Sequence, residues 1–450
     1  MEPLNQQNRH VHLISLGCAR NRVDSEVMLG TLFGKGWKHI EDPSSADAII
    51  INTCGFIQSA KEESIETILH SADYKKENPE LKLVVTGCLT QRYKKQLAQG
   101  LPEVDLFVGT DEFTKLGELL DQPPAKGAVI AKRTHYLYHD SMPRINTLGH
   151  YSAYVKVAEG CQHQCSFCII PAIRGKLRSR PIESITSEVK SLVADGVREV
   201  NLIAQDLAAY GREQGQDLLL PLLKSLVKIE GLKWLRLMYV YPENINEEFL
   251  DFFANEDKLV KYLDVPVQHA SDAILRKMKR DVNQESLKAI FKKLRARIPE
   301  ISIRTSVMVG FPSETEEDFK QLKDFVKEVK FEHLGCFKYS QEEGTVAGRM
   351  PEQIEDDVKE ARLDEIMELQ KGVSEEALKS CVGKKLPVLI LGPSSESEFL
   401  WEGRLSTQAP EVDGIVYIND GPVKSGAIQM VEITESHTYD LVGRVLDDSE

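Results

Sequence analysis

Glu159-Gly160-Cys161-Gln162-His163-Gln164-Cys165-Ser166-Phe167-Cys168 places three cysteines in a C-x3-C-x2-C pattern, directly after the predicted strand Tyr154–Ala158. Thiolates at this density bind soft metals, and loops of this kind hold iron–sulfur clusters. The alternative is a structural zinc site, but such a site normally uses four ligands in two pairs, and no second pair accompanies this one. The pattern therefore predicts a 4Fe–4S cluster with three protein ligands and one open iron.

Outward from this motif, strand-like and helix-like segments alternate. The predicted strands are Tyr154–Ala158, Glu199–Ala204, Trp234–Met238, Leu263–Pro266, Ser302–Val309 and His333–Phe337. Each is followed by a helical segment, so six β/α units predict an open, partial (β/α)6 barrel. In such a barrel the carboxyl ends of the strands face the reaction.

The N-terminal segment alternates in the same way. Short apolar runs at His10–Leu16, Ala48–Ile51, Leu81–Thr86 and Val104–Val108 predict strands of a parallel sheet with helices on its faces. The pattern breaks at Gln122-Pro-Pro-Ala-Lys-Gly127, which predicts a linker.

Beyond the barrel, a long charged helix over roughly 352–380 precedes five short strands. These are Leu386–Leu391, Leu400–Arg404, Gly414–Ile418, Met430–Thr434 and Leu441–Val445. They predict a small closed antiparallel β-barrel. The predicted class is therefore α/β, with an N-terminal parallel sheet domain, a partial barrel and a C-terminal β-barrel.

Three further cysteines each follow a predicted N-terminal strand: Cys18, Cys54 and Cys88. Because the carboxyl ends of parallel strands lie along one edge of a sheet, we expect these thiols to converge and to hold a second three-cysteine cluster. The alternative is that they are small buried hydrophobic residues, a common role of free cysteine.

The composition is that of an ordinary globular protein, with 450 residues, 42% of them hydrophobic and 28% charged. No apolar run approaches the length of a membrane span, and the N-terminus is polar, so we expect a cytoplasmic protein without membrane partners. In that reducing compartment the eight cysteines favour metal ligation over disulfides. A net charge of −14 disfavours non-specific binding to nucleic acid.

The cysteine triplet, its position and the six β/α units resemble the radical S-adenosylmethionine enzymes, in which the cofactor's amino and carboxylate groups chelate the open iron. With the N-terminal trio and the terminal barrel, nearly the whole chain resembles the methylthiotransferases. The resemblance implies a cluster-binding domain (8–122), a linker (123–146), a radical domain (147–378) and a TRAM domain (379–447). It also implies two 4Fe–4S clusters and two S-adenosylmethionine molecules, one donating a methyl group to sulfur at the N-terminal cluster and the other supplying a 5′-deoxyadenosyl radical.

The same resemblance indicates site residues. Cys161, Cys165 and Cys168 hold the catalytic radical cluster, and Cys18, Cys54 and Cys88 the other cluster. Gln205 and Asp206 stand where the family contacts the amino end of the cofactor. Gln268 and Gly310 are candidates for its ribose and adenine, and Phe167 for packing on the adenine. Each polar residue has the alternative role of satisfying backbone groups at a strand end.

Two motifs separate the branches of this family. Ser15-Leu16-Gly17-Cys18-Ala19-Arg20-Asn21-Arg22-Val23-Asp24-Ser25-Glu26 resembles the branch that modifies an aspartate in a ribosomal protein, although that branch usually has Pro-Lys where this chain has Ala19-Arg20. Gln268-His269-Ala270-Ser271 also has the form typical of that branch. From Lys379 to Glu450 there are six Lys and Arg against twelve Asp and Glu, and an acidic barrel suits a basic protein better than RNA.

The resemblance therefore implies radical methylthiolation of the β-carbon of an aspartate in small-ribosomal-subunit protein twelve, with nucleic acid not the primary substrate. The expected partners are that basic protein, free or on the ribosome, and an electron donor such as a flavodoxin. One alternative is a transfer-RNA adenosine methylthiotransferase with the same cofactors. Another is a redox- or iron-sensing RNA-binding protein that uses its clusters structurally.

Overall fold

A computed structural model describes residues 9–132 and 136–446 of the chain. The predicted domain ends at residues 8 and 447 fall outside these ranges. None of the helices in the described part is both long enough and apolar enough to cross a membrane.

The N-terminal domain is a six-stranded parallel sheet covered by helices on both faces. Its strands are β1 (Arg9–Ser15), β2 (Trp37–His39), β3 (Ala48–Thr53), β4 (Lys82–Gly87), β5 (Leu106–Val108) and β6 (Ala128–Ile130), in the order β2-β1-β3-β4-β5-β6. Its helices are α1 (Ala19–Phe33), α2 (Gln58–Asp73), α3 (Cys88–Tyr93), α4 (Lys95–Gly100) and α5 (Leu116–Asp121). Every residue of β3 is buried, as expected for a central strand with both faces covered. The predicted linker contributes β6, which pairs with β5 and extends this sheet.

The central domain confirms the predicted partial barrel. Its main strands are β7 (Ser152–Lys156), β10 (Glu199–Ile203), β11 (Trp234–Leu237), β12 (Leu259–Asp264), β13 (Ser302–Val309) and β14 (His333–Lys338), all parallel, while β8 (Ala158–Glu159) and β9 (Arg178–Ser179) form a small ribbon. The helices are α6 (Ile170–Arg174), α7 (Ile182–Ala194), α8 (Leu219–Leu226), α9 (Glu247–Asn255), α10 (Asp272–Lys277), α11 (Gln284–Arg297), α12 (Glu316–Val329) and α13 (Asp356–Lys379). Strands β7 and β14 are the two edges, so the sheet is open.

The C-terminal domain is the predicted closed barrel of five strands. They are β15 (Lys385–Pro393), β16 (Trp401–Leu405), β17 (Val416–Asp420), β18 (Ile428–Ser436) and β19 (Leu441–Val445). Four of the five pairings are antiparallel, whereas β17 and β19 run parallel, a pairing that the short spacing of the strands did not reveal.

The connection between β16 and β17, residues 406–415, packs against one face of the open sheet. Tyr154 donates a hydrogen bond to the Pro410 carbonyl (3.0 Å), and Tyr262 donates to Asp413 (2.7 Å). On the neighbouring strand β10, Glu199 is fully buried between Arg236 and Arg404. The terminal barrel therefore packs against side chains of the open sheet.

Candidate active site

The N-terminal cysteines follow three neighbouring strands. Cys18 precedes α1, Cys54 comes directly after β3, and Cys88 is the first residue of α3 after β4. Gly17 has a φ of +89°, and a Cβ at this position would lie 2.9 Å from the Cβ of Cys54. The loop that carries Cys18 is thus packed directly on Cys54, and glycine permits both this backbone conformation and this contact.

Asn21 connects the loops of this trio, although the sequence analysis did not identify it as a site residue. Its amide donates to the carbonyls of Leu16 and Thr53, both at 3.0 Å. Its Oδ1 lies 3.7 Å from the Cys88 sulfur and accepts a hydrogen bond of 2.6 Å from Arg174 of the central domain. The Arg174 guanidinium also lies 3.4 Å from that sulfur. The position of Asn21 three residues after Cys18 was the available signal.

The three thiols have different electrostatic surroundings. Burial opposes ionisation of Cys18, but the charges of Arg20 and Arg174 and the backbone N–H groups at the start of α1 lower its pKa. Burial, together with the other two thiols, raises the pKa of Cys54 to about 12. The pKa of Cys88 is also raised, again by burial first. A bound metal would reverse the two upward shifts because a coordinating thiol is deprotonated.

The second trio lies where β8 ends. The backbone N–H of Cys161 donates to the carbonyl of Gly175 (3.2 Å), and that of Cys168 donates to the carbonyl of Cys165 (3.1 Å). Burial raises the pKa of Cys161 to about 11 and that of Cys168 to about 12. The backbone hydrogen bonds fix the loop before any ligand is bound.

An aromatic stack supports this loop from the barrel side. His163 stacks on Tyr241 with ring centroids 4.0 Å apart, and its Nε2 lies 2.7 Å from Asp206. The Tyr241 hydroxyl lies 3.1 Å from the Cys165 sulfur. The guanidinium carbon of Arg280 lies 3.7 Å from the centre of the Tyr241 ring. No sequence motif indicated Tyr241 or Arg280, which follow different strands.

The predicted cofactor-binding residues all lie beyond the carboxyl ends of barrel strands. Gln205 donates to Glu159 (3.0 Å), while its buried Oε1 has no partner among the described residues. Both carboxylate oxygens of Asp206 are engaged, one by His163 and the other by the Ala208 N–H (2.9 Å).

The other three candidates differ in kind. Gln268 has a φ of +71° and bonds to β13 through its backbone. Gly310 has a φ of +72°, and a Cβ there would lie 2.2 Å from the Lys359 side chain. Phe167 packs in an apolar cluster that includes Phe311 and Met278.

The two trios belong to one interface. Cys88 packs against Ile169 and Ile173 of the central domain, and Ile169 is the residue after Cys168. Helix α3, which begins at Cys88, packs on α6, which begins two residues after Cys168. The N-terminal sheet edge therefore faces the mouth of the partial barrel.

A buried ion cluster, formed by Asp24, Lys156, Glu159 and Arg174, joins the two domains behind the cysteines. Lys156 contacts Asp24 at 2.5 Å and Glu159 at 2.7 Å. Arg174 contacts Asp24 at 2.7 Å and Glu159 at 3.3 Å. Two cations thus balance two carboxylates, and this matching makes their burial tolerable.

The donor chemistry of both trios fits iron–sulfur clusters. Within residues 9–132 and 136–446, no three His, Cys, Asp or Glu side chains converge closely enough to bind one metal ion. A cluster does not require such convergence because each thiolate binds a different iron. The unpaired Oε1 of Gln205 beside the second trio is the kind of buried acceptor that a bound cofactor satisfies.

Comparisons with known proteins identify each domain. The uncharacterized protein family UPF0004 matches residues 10–109, the radical SAM superfamily matches 155–326, and the TRAM domain matches 382–446. The radical SAM match implies S-adenosylmethionine and a 4Fe–4S cluster.

Among solved structures, the radical S-adenosylmethionine methyltransferase TsrM from Kitasatospora setae, with cobalamin and a 4Fe–4S cluster bound, has a TM-score of 0.53 at 15% identity, covering 87% of this chain and 82% of that one. The cobalamin-dependent radical enzyme OxsB also has a TM-score of 0.53, at 12% identity, covering 81% of this chain and 56% of its own. At these identities the likeness establishes the fold.

Curated relatives are much more similar. The ribosomal protein uS12 methylthiotransferase RimO of Myxococcus xanthus is 48% identical over 98% of this chain and 92% of its own length. Proteins of the same name from Geobacter sulfurreducens and Bdellovibrio bacteriovorus are 45% and 44% identical, and each is covered over 98% of its length. The chain is therefore a radical S-adenosylmethionine methylthiotransferase, and it belongs to the family of ribosomal protein uS12 methylthiotransferases.

Proposed function

We propose that this enzyme transfers a methylthio group to the β-carbon of an aspartate in ribosomal protein uS12, using two 4Fe–4S clusters and two molecules of S-adenosylmethionine. The observation that carries the proposal is the position of the two cysteine trios on facing sides of one domain interface, where Cys88 packs against Ile169 beside Cys168. Two cofactors held in this way would both face this interface, where one substrate could meet them.

In this assignment Cys161, Cys165 and Cys168 hold the radical cluster, and Cys18, Cys54 and Cys88 hold the second. When bound, the cofactors supply the radical that removes hydrogen from an unactivated carbon and the methylthio group that replaces it, chemistry beyond ordinary acid–base groups. The protein's part is to position them. The Tyr241 hydroxyl can donate to the Cys165 sulfur, and Asn21 ties the loops of the N-terminal trio together.

The cofactor contacts are assigned as the sequence predicts them. Gln205 and Asp206 are placed at the amino end of S-adenosylmethionine, Gln268 and Gly310 at its ribose and adenine, and Phe167 against the adenine. The free Oε1 of Gln205 supports the first assignment because an ammonium group can donate to it. Functional boundaries at 8–122, 123–146, 147–378 and 379–447 belong to the same proposal.

The substrate assignment is supported by the names of the relatives and by charge. An acidic enzyme, with a net charge of −14, complements a basic ribosomal protein and repels bare phosphate. We place the reaction in the cytoplasm, with uS12 free or on the ribosome, and with an electron donor such as a flavodoxin.

Iron and sulfide analysis after anaerobic reconstitution tests the two-cluster assignment. The wild type should hold about eight irons, and the triple variant Cys18→Ala/Cys54→Ala/Cys88→Ala about four. The triple variant should still cleave S-adenosylmethionine to 5′-deoxyadenosine but transfer no methylthio group. The control variant Cys336→Ala/Cys381→Ala loses two half-buried thiols outside both trios and should keep about eight irons. A wild type that holds only about four would contradict the proposal.

Mass spectrometry of cells lacking the gene tests the substrate. We expect uS12 to lose its methylthio group while transfer RNA keeps its own. The opposite result would identify the enzyme as a transfer-RNA adenosine methylthiotransferase. A protein that binds clusters but never forms 5′-deoxyadenosine would instead fit the RNA-binding sensor.

A further inference from the structure

Arg20 is a cation at the interface of the two trios, and no carboxylate of the described residues lies within ion-pair distance of it. It follows Cys18 by two residues, and its Nη1 donates to the carbonyl of Ala204 (2.7 Å), beyond the end of β10. Its charge acts on Cys18 of one trio and on Cys161 and Cys168 of the other. Among the residues that the structure describes, none of the ion pairs includes Arg20.

The other arginines around this interface are engaged differently. Arg174 is paired with two carboxylates of the ion cluster. Arg304 is paired with Asp413 (2.5 Å) of the terminal barrel. Arg280 has the same kinds of partner as Arg20, a carbonyl (Pro266, 2.7 Å) and a tyrosine ring (Tyr241), but that tyrosine contacts Cys165, so Arg280 lies on the side of the second trio. Arg20 uses Nη1 on the Ala204 carbonyl and also interacts with the Cys18 side chain. A guanidinium carries five N–H donors, so donors remain for a carboxylate.

The Arg20 guanidinium packs on a residue with a strained backbone. Its guanidinium lies 4.5 Å from the ring centre of Tyr239, which has a φ of +62°. This left-handed conformation is unfavourable for any residue that has a Cβ atom, and residues that adopt it are concentrated at functional sites. The Tyr239 N–H donates to Asp264 (3.1 Å), and its carbonyl accepts from the Leu207 N–H (2.9 Å). The strained backbone is thus held from both sides, and its ring fixes the guanidinium.

We propose that Arg20 is a specificity-determining residue that binds the side-chain carboxylate of the substrate aspartate. This inference rests on the proposed function. The carbon that reacts is bonded directly to that carboxylate, so two hydrogen bonds to a fixed guanidinium also fix the reacting C–H bond. An asparagine in the substrate would leave the guanidinium without its partner, and sites built for a particular polar group reject analogues that lack it.

The same chemistry exists in the carboxylate of S-adenosylmethionine, and the experiment separates the two. We would compare the wild type, Arg20→Gln and Arg20→Lys, using purified uS12 and uS12 in which the modified aspartate is replaced by asparagine. Binding of each uS12 form is measured by calorimetry without S-adenosylmethionine, and the KM for S-adenosylmethionine is measured separately. Arg297→Gln is the matched control because that side chain is half exposed and pairs with Asp251 on the outer helices.

The wild type should bind aspartate uS12 more tightly than asparagine uS12. Arg20→Gln should lose this preference, and its kcat/KM for aspartate uS12 should fall by about 10- to 100-fold, the range for a lost charge-assisted pair. Arg20→Lys should keep part of the preference, and Arg297→Gln all of it.

If Arg20→Gln keeps the preference, or if it raises only the KM for S-adenosylmethionine, the inference is wrong. A wild type that neither binds nor modifies uS12 would instead remove the proposed function. If Arg20→Gln does not fold, Arg20→Lys decides. It should keep only part of the preference because an ammonium group cannot form two parallel hydrogen bonds to a carboxylate, and an unchanged preference would overturn the inference.

Discussion

Replacing Asp24 by asparagine tests whether the ion cluster holds the N-terminal and central domains together. The substitution keeps the shape of the side chain but leaves Lys156 and Arg174 with Glu159 as their one carboxylate partner in the cluster. All four side chains are at most 5% exposed, so water cannot compensate the surplus positive charge. Breaking a buried pair by removing one partner costs about 3–5 kcal/mol, and we expect a loss of stability of that size.

Urea unfolding of the apoprotein, followed by tryptophan fluorescence and by circular dichroism, measures this loss. Each domain contains one tryptophan, at Trp37, Trp234 and Trp401. Unfolding of one domain before the others would therefore change the fluorescence of its own tryptophan. The double variant Asp24→Asn/Lys156→Met restores charge balance and should recover part of the stability.

The matched control is Asp121→Asn, whose side chain is 35% exposed and pairs with Arg9 on the surface, where at most about 1 kcal/mol is expected. The reasoning would be refuted if Asp24→Asn cost less than about 1 kcal/mol. It would also be refuted if the loss of stability in the double variant equalled the sum of the losses for Asp24→Asn and Lys156→Met alone.

Three further variants have defined outcomes. Burial raises the pKa of Asp264 to about 6, so the folded state binds more protons than the unfolded state. The free energy of unfolding should therefore fall as the pH rises from about 4 to about 6. Asp264→Asn should abolish this decline in urea titrations at several pH values. Although burial opposes ionisation, Arg404 and Arg236 lower the pKa of Glu199 to about 2. Glu199→Gln should therefore cost about 3–5 kcal/mol at neutral pH. It should also remove the loss of stability that the wild type shows as the pH falls from about 5 to about 2. Gly30→Ala would place a Cβ 2.4 Å from the backbone of Pro143, and thermal unfolding should show a loss of about 1–3 kcal/mol; an unchanged transition would mean that the two segments separate at no cost.

Much of the fold was predictable because its signals are local. A central parallel strand such as β3 is a continuous apolar run, and the six β/α units of the barrel repeat the same alternation. Strand β6, inside the predicted linker, was not predicted, and this has a physical cause. Strand β6 has only three residues, all half-buried, and its apolar pattern is too short to distinguish an edge strand from a loop.

For the candidate site, the cysteines were predictable and their supports were not. Three thiols within eight residues form a motif by spacing alone, and the other three are marked by the strand ends that precede them. Tyr241 and Arg280 have no such mark, and Asn21 has only its position three residues after Cys18. They reach the cysteines only because the barrel strands and the sheet edge converge in space.

Spacing and periodicity are properties of neighbouring residues, so both cysteine trios and the order of the elements could be predicted from the chain, and the family followed from the resemblance of its motifs. How the domains meet is a property of the folded molecule. Asp24 and Arg174 are 150 residues apart, and Tyr154 and Pro410 are 256 apart, yet both pairs are in contact. Such contacts depend on which faces pack together. The proposed role of Arg20 depends on packing in the same way, because packing places two cysteine trios near its charge and no carboxylate of the described residues within ion-pair distance.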